Sequence, residues 1–228
     1  MDVAEVLKQI IGKHSSLPYV LVLLLGVFTM VVLWLGSARQ KGRRGEKRVF
    51  NILSKSLPDG FIVLNDIYLP LPDGTTTQID HIVVSQYGVF VIETKNYSGR
   101  IFANARDDEW TETFPGRKGY RFPNPINQNR HHIRVLAERL DISEDYFHSV
   151  VAFTENCTFK TPLPDGVVHT VALADYIKSF DRVQIDPAQV PEVADAIRKW
   201  AAEVGANLAK AHVVVLKRKH GGTTTAFI

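Results

Sequence analysis

The most continuous hydrophobic pattern lies near the start of the chain. From Ser15 to Ala38 there is no charged residue, and apolar side chains dominate from Val20 to Leu25 and from Val31 to Leu35. Shorter periodic patterns follow. Val49, Phe50, Leu53 and Leu57 recur at helical spacing and predict a helix over 42–57. A strand is expected at Phe61 to Leu69, closed by the turn Pro70-Leu71-Pro72-Asp73-Gly74. Two apolar runs, Gln78 to Val84 and Val89 to Lys95, flank Gln86-Tyr87-Gly88 and read as a hairpin. Gly99 to Asn104 and Glu109 to Phe114 suggest another, turning at Asp107-Asp108, followed by a Gly/Arg/Lys-rich loop from Pro115 to Pro123. Asn124 as cap and Pro125 at the first helical position start a helix to about Leu140, with Ile133, Leu136 and Leu140 as its core stripe. Strands are expected at His148 to Phe153 and Val167 to Val171, and helices at Leu173 to Phe180 and Pro187 to Val204. The tail from Asn207 carries Lys217-Arg218-Lys219-His220 and ends in a Gly/Thr-rich stretch of disordered composition. The elements alternate as in an α/β protein, and no internal repeat is visible.

The second hairpin holds the chemistry. Acidic residues almost never lie inside apolar strands unless they are paired or metal-bound, yet Asp80 and Glu93 both do. Alternation puts Val89, Val91, Glu93 and Lys95 on one face and Phe90, Ile92 and Thr94 on the other. Glu93 and Lys95 therefore point the same way, about 7 Å apart along the strand. A two- or four-residue loop sets Asp80 opposite Glu93, whereas a three-residue loop without a bulge pairs it with Thr94. Gly88 suits a positive-φ turn position or a bulge. The register that unites the carboxylates is expected. Two such carboxylates repel unless one keeps its proton or a cation lies between them. A hard divalent ion is the natural solution, since Mg²⁺ uses one or two protein carboxylates and keeps several waters. The competing interpretation is a surface Glu93–Lys95 salt bridge with Asp80 at a strand end.

Length and flanking charge give the apolar run a meaning. Leu17 to Leu35 is 19 residues, about 28 Å of helix against a hydrocarbon core of about 30 Å. Tyr19 and Trp34 stand near its ends, as interfacial aromatics do. A cleavable signal peptide fits less well, because the run is long and the first thirteen residues are not basic. A transmembrane helix over 17–36 is expected. Asp2, Glu5, Lys8 and Lys13 balance before it, whereas Arg39, Lys41, Arg43, Arg44, Lys47 and Arg48 face only Glu46 after it. The positive-inside rule then makes this a single-pass protein of the inner or plasma membrane with its C-terminal part in the cytoplasm. The same cations suit contact with anionic lipid.

The remaining composition narrows the field. The chain has 228 residues and a net charge of +3, so no global basic character announces nucleic acid. Its one cysteine, Cys157, excludes an internal disulfide and a cysteine zinc cluster; it has no motif of a nucleophile and is expected to be half-buried. Glu46 precedes Val49, Phe50 and Leu53 by three, four and seven residues, which places it on the apolar stripe of the 42–57 helix. It is either a first-turn charge favoured by the helix dipole or a third acid aimed at the carboxylate pair. His81 faces away from Asp80 and is expected to be semi-buried and hydrogen-bonded. Adjacent His131 and His132 point about 100° apart on a helix, poor geometry for a shared zinc.

Gly45-Glu46, Leu64-Asn65-Asp66-Ile67, Gln78 to Val84, Gly88 to Gly99, Trp110 and Asn124-Pro125-Ile126-Asn127-Gln128-Asn129 occur in that order. Together they resemble the nuclease-related domain (NERD) family of the PD-(D/E)xK superfamily, over about residues 42–155. The resemblance implies a restriction-endonuclease-like mixed sheet core flanked by helices, here preceded by the N-terminal transmembrane helix. It implies Asp80 and Glu93 as Mg²⁺ (or Mn²⁺) ligands, Lys95 as catalytic lysine, Glu46 as the first-helix acid and metal ligand, and Gln128 as a polar residue offered to the site. Arg117, Lys118, Arg121 and Arg130 are candidates for backbone phosphate contacts. The expected organisation is a short segment at 1–16, the span at 17–36, a basic linker at 37–44, the core at 45–160, an extension at 161–206 and the tail at 207–228. Three functions compete: a membrane-anchored Mg²⁺-dependent nuclease, with DNA preferred to RNA; a non-catalytic nucleic-acid-binding module; and a membrane-tethered interaction module. The sequence leaves the oligomeric state open.

Overall fold

The computed structural model of the chain describes residues 17–71 and 73–203, without side chains at 17–21 and 31–39. The expected N-terminal segment 1–16 and basic tail 207–228 lie outside them. The chain divides at Arg43/Arg44 into two units. The first contains most of helix α1 (Leu17–Ser56). Its Val22, Leu23, Leu24, Leu25, Val27, Phe28 and Met30 are all exposed. Among the described residues no helix is long and apolar enough to cross a membrane; the expected span includes side chains at 17–21 and 31–36 that lie outside them.

The second unit is mixed α/β. Its main sheet has the order β1 (Ile62–Pro70), β2 (Thr76–Ser85), β3 (Gly88–Lys95), β7 (Phe147–Phe153), β9 (Val167–His169). The pairs β1–β2 and β2–β3 are antiparallel, whereas β3–β7 and β7–β9 are parallel. A smaller sheet has the order β6 (Tyr120–Pro123), β5 (Glu109–Thr113), β4 (Arg100–Phe102), β8 (Thr158–Phe159). The segment expected as a loop up to Pro123 therefore ends in strand β6, which pairs Trp110 with Phe122. That pairing buries both rings, a tertiary gain that the Gly/Arg/Lys-rich composition conceals.

Both faces of the main sheet are covered. Val89 and Val91 of β3 pack with Ile133 and Leu136 of α2 (Pro125–Leu140) and with Val190, Ala194 and Ile197 of α4 (190–203). Phe90 and Ile92 pack on the other face with Val49 and Leu53 of α1 and with Leu173 and Ile177 of α3 (Leu173–Lys178). The expected alternation of β3 is thus realised. The residues expected as a C-terminal extension are part of this core, through β9, α3 and α4.

Helix α2 starts as its sequence requires. The Asn124 side chain accepts from the Ile126 N–H at 2.9 Å while its amide donates to the Asp107 carbonyl at 2.7 Å. Inside the helix, buried Asn129 donates to the Val91 carbonyl at 2.7 Å and to Ser149 Oγ at 3.0 Å. Those bonds lock α2 over the β3–β7 seam and so fix where Gln128, one residue earlier, projects.

Candidate active site

The hairpin between β2 and β3 closes with a two-residue loop. Ser85 pairs with Gly88, and the ladder runs to His81 opposite Ile92. One step further along this register, Asp80 stands opposite Glu93. Gly88 has φ +124°. A Cβ there would lie 2.7 Å from the Tyr146 carbonyl oxygen and 2.8 Å from His148 Nε2, so both backbone angle and space demand glycine.

Asp80 occupies a break in the sheet. Ile82 and Val84 face the α2 side, and so does Ile79, so the alternation slips one residue between them. The partner strand slips too, with Leu64 and Ile67 on that same side and Asp66 between them at φ +57°. The β1–β2 ladder omits the Asp66–Asp80 pair. In place of ladder geometry, the Asp80 carboxylate accepts the Thr94 N–H at 2.8 Å. The β2–β3 ladder also ends beside it, at His81 opposite Ile92.

On β3, Lys95 Nζ donates to Glu93 Oε1 at 2.8 Å and to Gln128 Oε1 at 3.1 Å. Glu93 is only 4% exposed, and its Oε2 has no hydrogen-bond partner. Burial, then the charge of Glu93, push the Asp80 carboxyl up to about 7; Glu46 adds to the rise, while the Thr94 N–H and Lys95 oppose it. Repulsion between the acids is therefore expressed in the fold, as expected of two apposed carboxylates.

Glu46 enters from the other side of the sheet. Helix α1 begins at Leu17, so Glu46 lies well inside the helix and the first-turn dipole explanation does not apply. The approach depends on Gly45, where a Cβ would lie 3.1 Å from Asn96 Cβ and 3.5 Å from Thr94 Cγ2. Next along α1, Arg48 pairs with Glu155 at 2.6 Å, and Glu155 also accepts from Thr170 Oγ1 and the Val171 N–H. Arg44, Lys47, Arg48, Asn51 and Lys55 line a groove of about 480 Å³. At 100° per residue they centre on the side of the helix opposite Glu46. The basic cluster of α1 therefore faces away from the carboxylates.

The four proposed phosphate contacts are dispersed. Arg117 and Lys118 lie exposed in the β5–β6 turn, Arg121 pairs with Glu109 at 3.1 Å, and Arg130 donates to Asn127 Oδ1 at 2.9 Å. Among the described residues none of the four bonds to Asp80, Glu93 or Lys95. His81 departs from expectation: it is fully buried, and neither ring nitrogen has a partner. It lies within the apolar face of the hairpin, and burial pulls its pKa down to about 4. Cys157 is buried rather than half-buried, and burial pushes its thiol up to about 11, far from a nucleophile.

His132, which adjacent-histidine spacing offers only as a poor zinc ligand, stands beside Glu93. It is buried, one helical turn beyond Gln128, with Nδ1 3.9 Å from Glu93 Oε2. Burial, then His131 and Lys95, lower its pKa to about 4, so the ring is neutral. Its i+4 spacing from Gln128 was the available signal.

The donor set suits a hard divalent ion. Two carboxylates, with one oxygen of Glu93 left unpartnered, are the ligand types that Mg²⁺ takes alongside several waters. Among the described residues no three His, Cys, Asp or Glu side chains gather into a group that could hold a metal ion.

The family model described as nuclease-related domain matches residues 41–154. An uncharacterized protein of Bacillus anthracis is 35% identical over 183 residues, covering 78% of this chain and 85% of that protein. With the ordered motifs folded into one carboxylate–lysine site, the chain belongs to the nuclease-related domain family.

Proposed function

We propose that the chain is a metal-dependent phosphodiesterase that hydrolyses nucleic acid, DNA in preference to RNA, tethered to a membrane by residues 17–36 with its catalytic unit on the cytoplasmic side. The observation that carries the catalytic reading is the buried Glu93 Oε2, without a partner, beside an Asp80 carboxyl that burial and then the charge of Glu93 push up to about 7. A binding module has no use for two apposed acids. The tether rests on the uncharged run from Ser15 to Ala38 and the exposed apolar side chains from Val22 to Met30, with orientation given by the cations that follow.

Asp80 and Glu93, with the Thr94 carbonyl, would hold Mg²⁺ or Mn²⁺, and Glu46 adds negative charge from behind. Bound there, the ion supplies Lewis-acid polarisation of the scissile phosphate and acidifies a water. Lys95 orients the attacking water and steadies the negative charge that develops on phosphate. Its ammonium is already fixed between Glu93 Oε1 and Gln128 Oε1, so little reorganisation is needed. Gln128 retains its amide N–H₂ for a phosphate oxygen or water. Exposed cations such as Arg117 and Lys118 suit contacts that position a backbone without reading sequence.

The test is cleavage of plasmid, single-stranded DNA and RNA by the purified full-length chain with Mg²⁺ or Mn²⁺. Activity lost with EDTA and in Glu93→Ala and Lys95→Ala is expected. Absence of metal binding, with all variants equal to wild type, would remove the enzymatic reading. For the tether, the chain should resist alkaline extraction from membranes, and deletion of 17–36 should release it.

A further inference from the structure

Two polar atoms lie buried and unpartnered beside each other on opposite sides of the β3–α2 interface. Glu93 Oε2 and His132 Nδ1 both lack hydrogen-bond partners, and they are 3.9 Å apart with side chains 5% and 3% exposed. A buried polar atom left unsatisfied is costly, so two facing each other mark a place where something is completed on use. Packing cannot explain the pair, because an apolar side chain at 132 would fill the same interface without stranding a nitrogen. The helix is aimed with care: Asn129 is bonded to the Val91 carbonyl and Ser149, and Gln128 to Lys95. Gln128 and His132, four residues apart, thus present one polar face to the two ends of the Glu93–Lys95 pair.

We propose that His132 is a positioning residue of this site, its Nδ1–H held for Glu93 Oε2 so that the carboxylate is fixed from both ends when a divalent ion binds. The inference rests on the metal-dependent reading above. Lys95 holds Oε1, His132 steadies Oε2, and a carboxylate oxygen has a second lone pair free for the ion. Closing 3.9 Å to hydrogen-bond length requires a movement of about 1 Å, within the reach of side-chain torsions. Such outer hydrogen bonds to a liganding group typically change metal affinity about 10- to 100-fold when removed.

The experiment measures Mn²⁺ binding to the full chain by electron paramagnetic resonance or calorimetry, alongside thermal unfolding without metal. His132→Leu should unfold at about the wild-type temperature and bind Mn²⁺ at least about 10-fold more weakly. His132→Asn puts an amide N–H where Nδ1 stands and should restore affinity to within about threefold of wild type. His132→Gln, whose donor stands one atom further out, should stay weak; the Asn–Gln comparison decides the matter if the Leu variant does not fold. Equal affinity in His132→Leu overturns the proposal, as does equal weakening in Asn and Gln variants that also melt early, which marks a packing role. If wild type binds no Mn²⁺, or if Asp80→Asn binds as well as wild type, the metal-dependent reading itself fails and this one with it.

Discussion

Replacing Asp80 by asparagine should stabilise the metal-free protein while removing its activity. The folded state raises the Asp80 pKa from 3.8 to about 7. A shift of about three units is worth up to about 4 kcal/mol, at about 1.36 kcal/mol per unit. The sign follows from proton uptake. Between about pH 4 and 7 the folded protein binds a proton at Asp80 that the unfolded chain has released, so wild type loses stability as pH rises through that window. The asparagine side chain cannot ionise, yet its Oδ1 still accepts the Thr94 N–H that now bonds the carboxylate at 2.8 Å. The margin of Asp80→Asn over wild type should therefore be small at pH 4, widen to pH 7 and remain constant above. Urea unfolding of both full-length chains at pH 4, 5.5, 7 and 8 measures it. Mg²⁺ at about a hundredfold above Kd should return about 2.7 kcal/mol to wild type and little to the variant. A margin that does not change with pH, or an Asp80→Asn protein less stable than wild type at pH 8, refutes the argument that burial and the charge of Glu93 disfavour an ionised Asp80 in the fold.

Other consequences follow from the same geometry. Lys95→Ala should lower cleavage by at least about 100-fold, because Lys95 bridges Glu93 and Gln128; single-turnover rates with Mn²⁺ check it. Gly88→Ala places a Cβ within 2.7 Å of a backbone carbonyl at φ +124° and should cost more than about 2 kcal/mol by denaturant unfolding. His81→Leu should raise the melting temperature at pH 5 more than at pH 8. The pKa of buried His81 is about 4 against 6.5 unfolded, so the unfolded chain binds the extra proton and wild type weakens as pH falls from about 6.5 towards 4. Gly45→Val crowds Asn96 and Thr94, and circular dichroism should show an intact fold while metal affinity drops as Glu46 is displaced.

Several elements were legible because local chemistry and tertiary packing agree. Asn124-Pro125 states a helix start, and the helix begins there. The alternation of Val89 to Lys95 states a two-faced strand, and helices cover both faces. The two-residue loop fixes which side chains oppose across the hairpin. Strand β6 was not legible, since Trp110 and Phe122 make it a strand only once β5 lies beside it. His81 misled in the same way. Position-by-position alternation gave its face, but not that the pocket there offers neither nitrogen a partner.

The sequence by itself determined the types of group available: two acids and a lysine on apolar strands, with Gln128 offered by the family resemblance. It also determined the uncharged N-terminal run and the cations after it, because length and charge need no neighbours. Only the tertiary structure decided that the β1–β2 ladder skips Asp80 and that burial, then the charge of Glu93, raise its pKa. It alone put Gly45 close enough to Thr94 for Glu46 to be felt, and brought His132 to an orphaned oxygen of Glu93. Those properties depend on distance and burial between segments far apart in the chain, which periodicity along one segment does not encode.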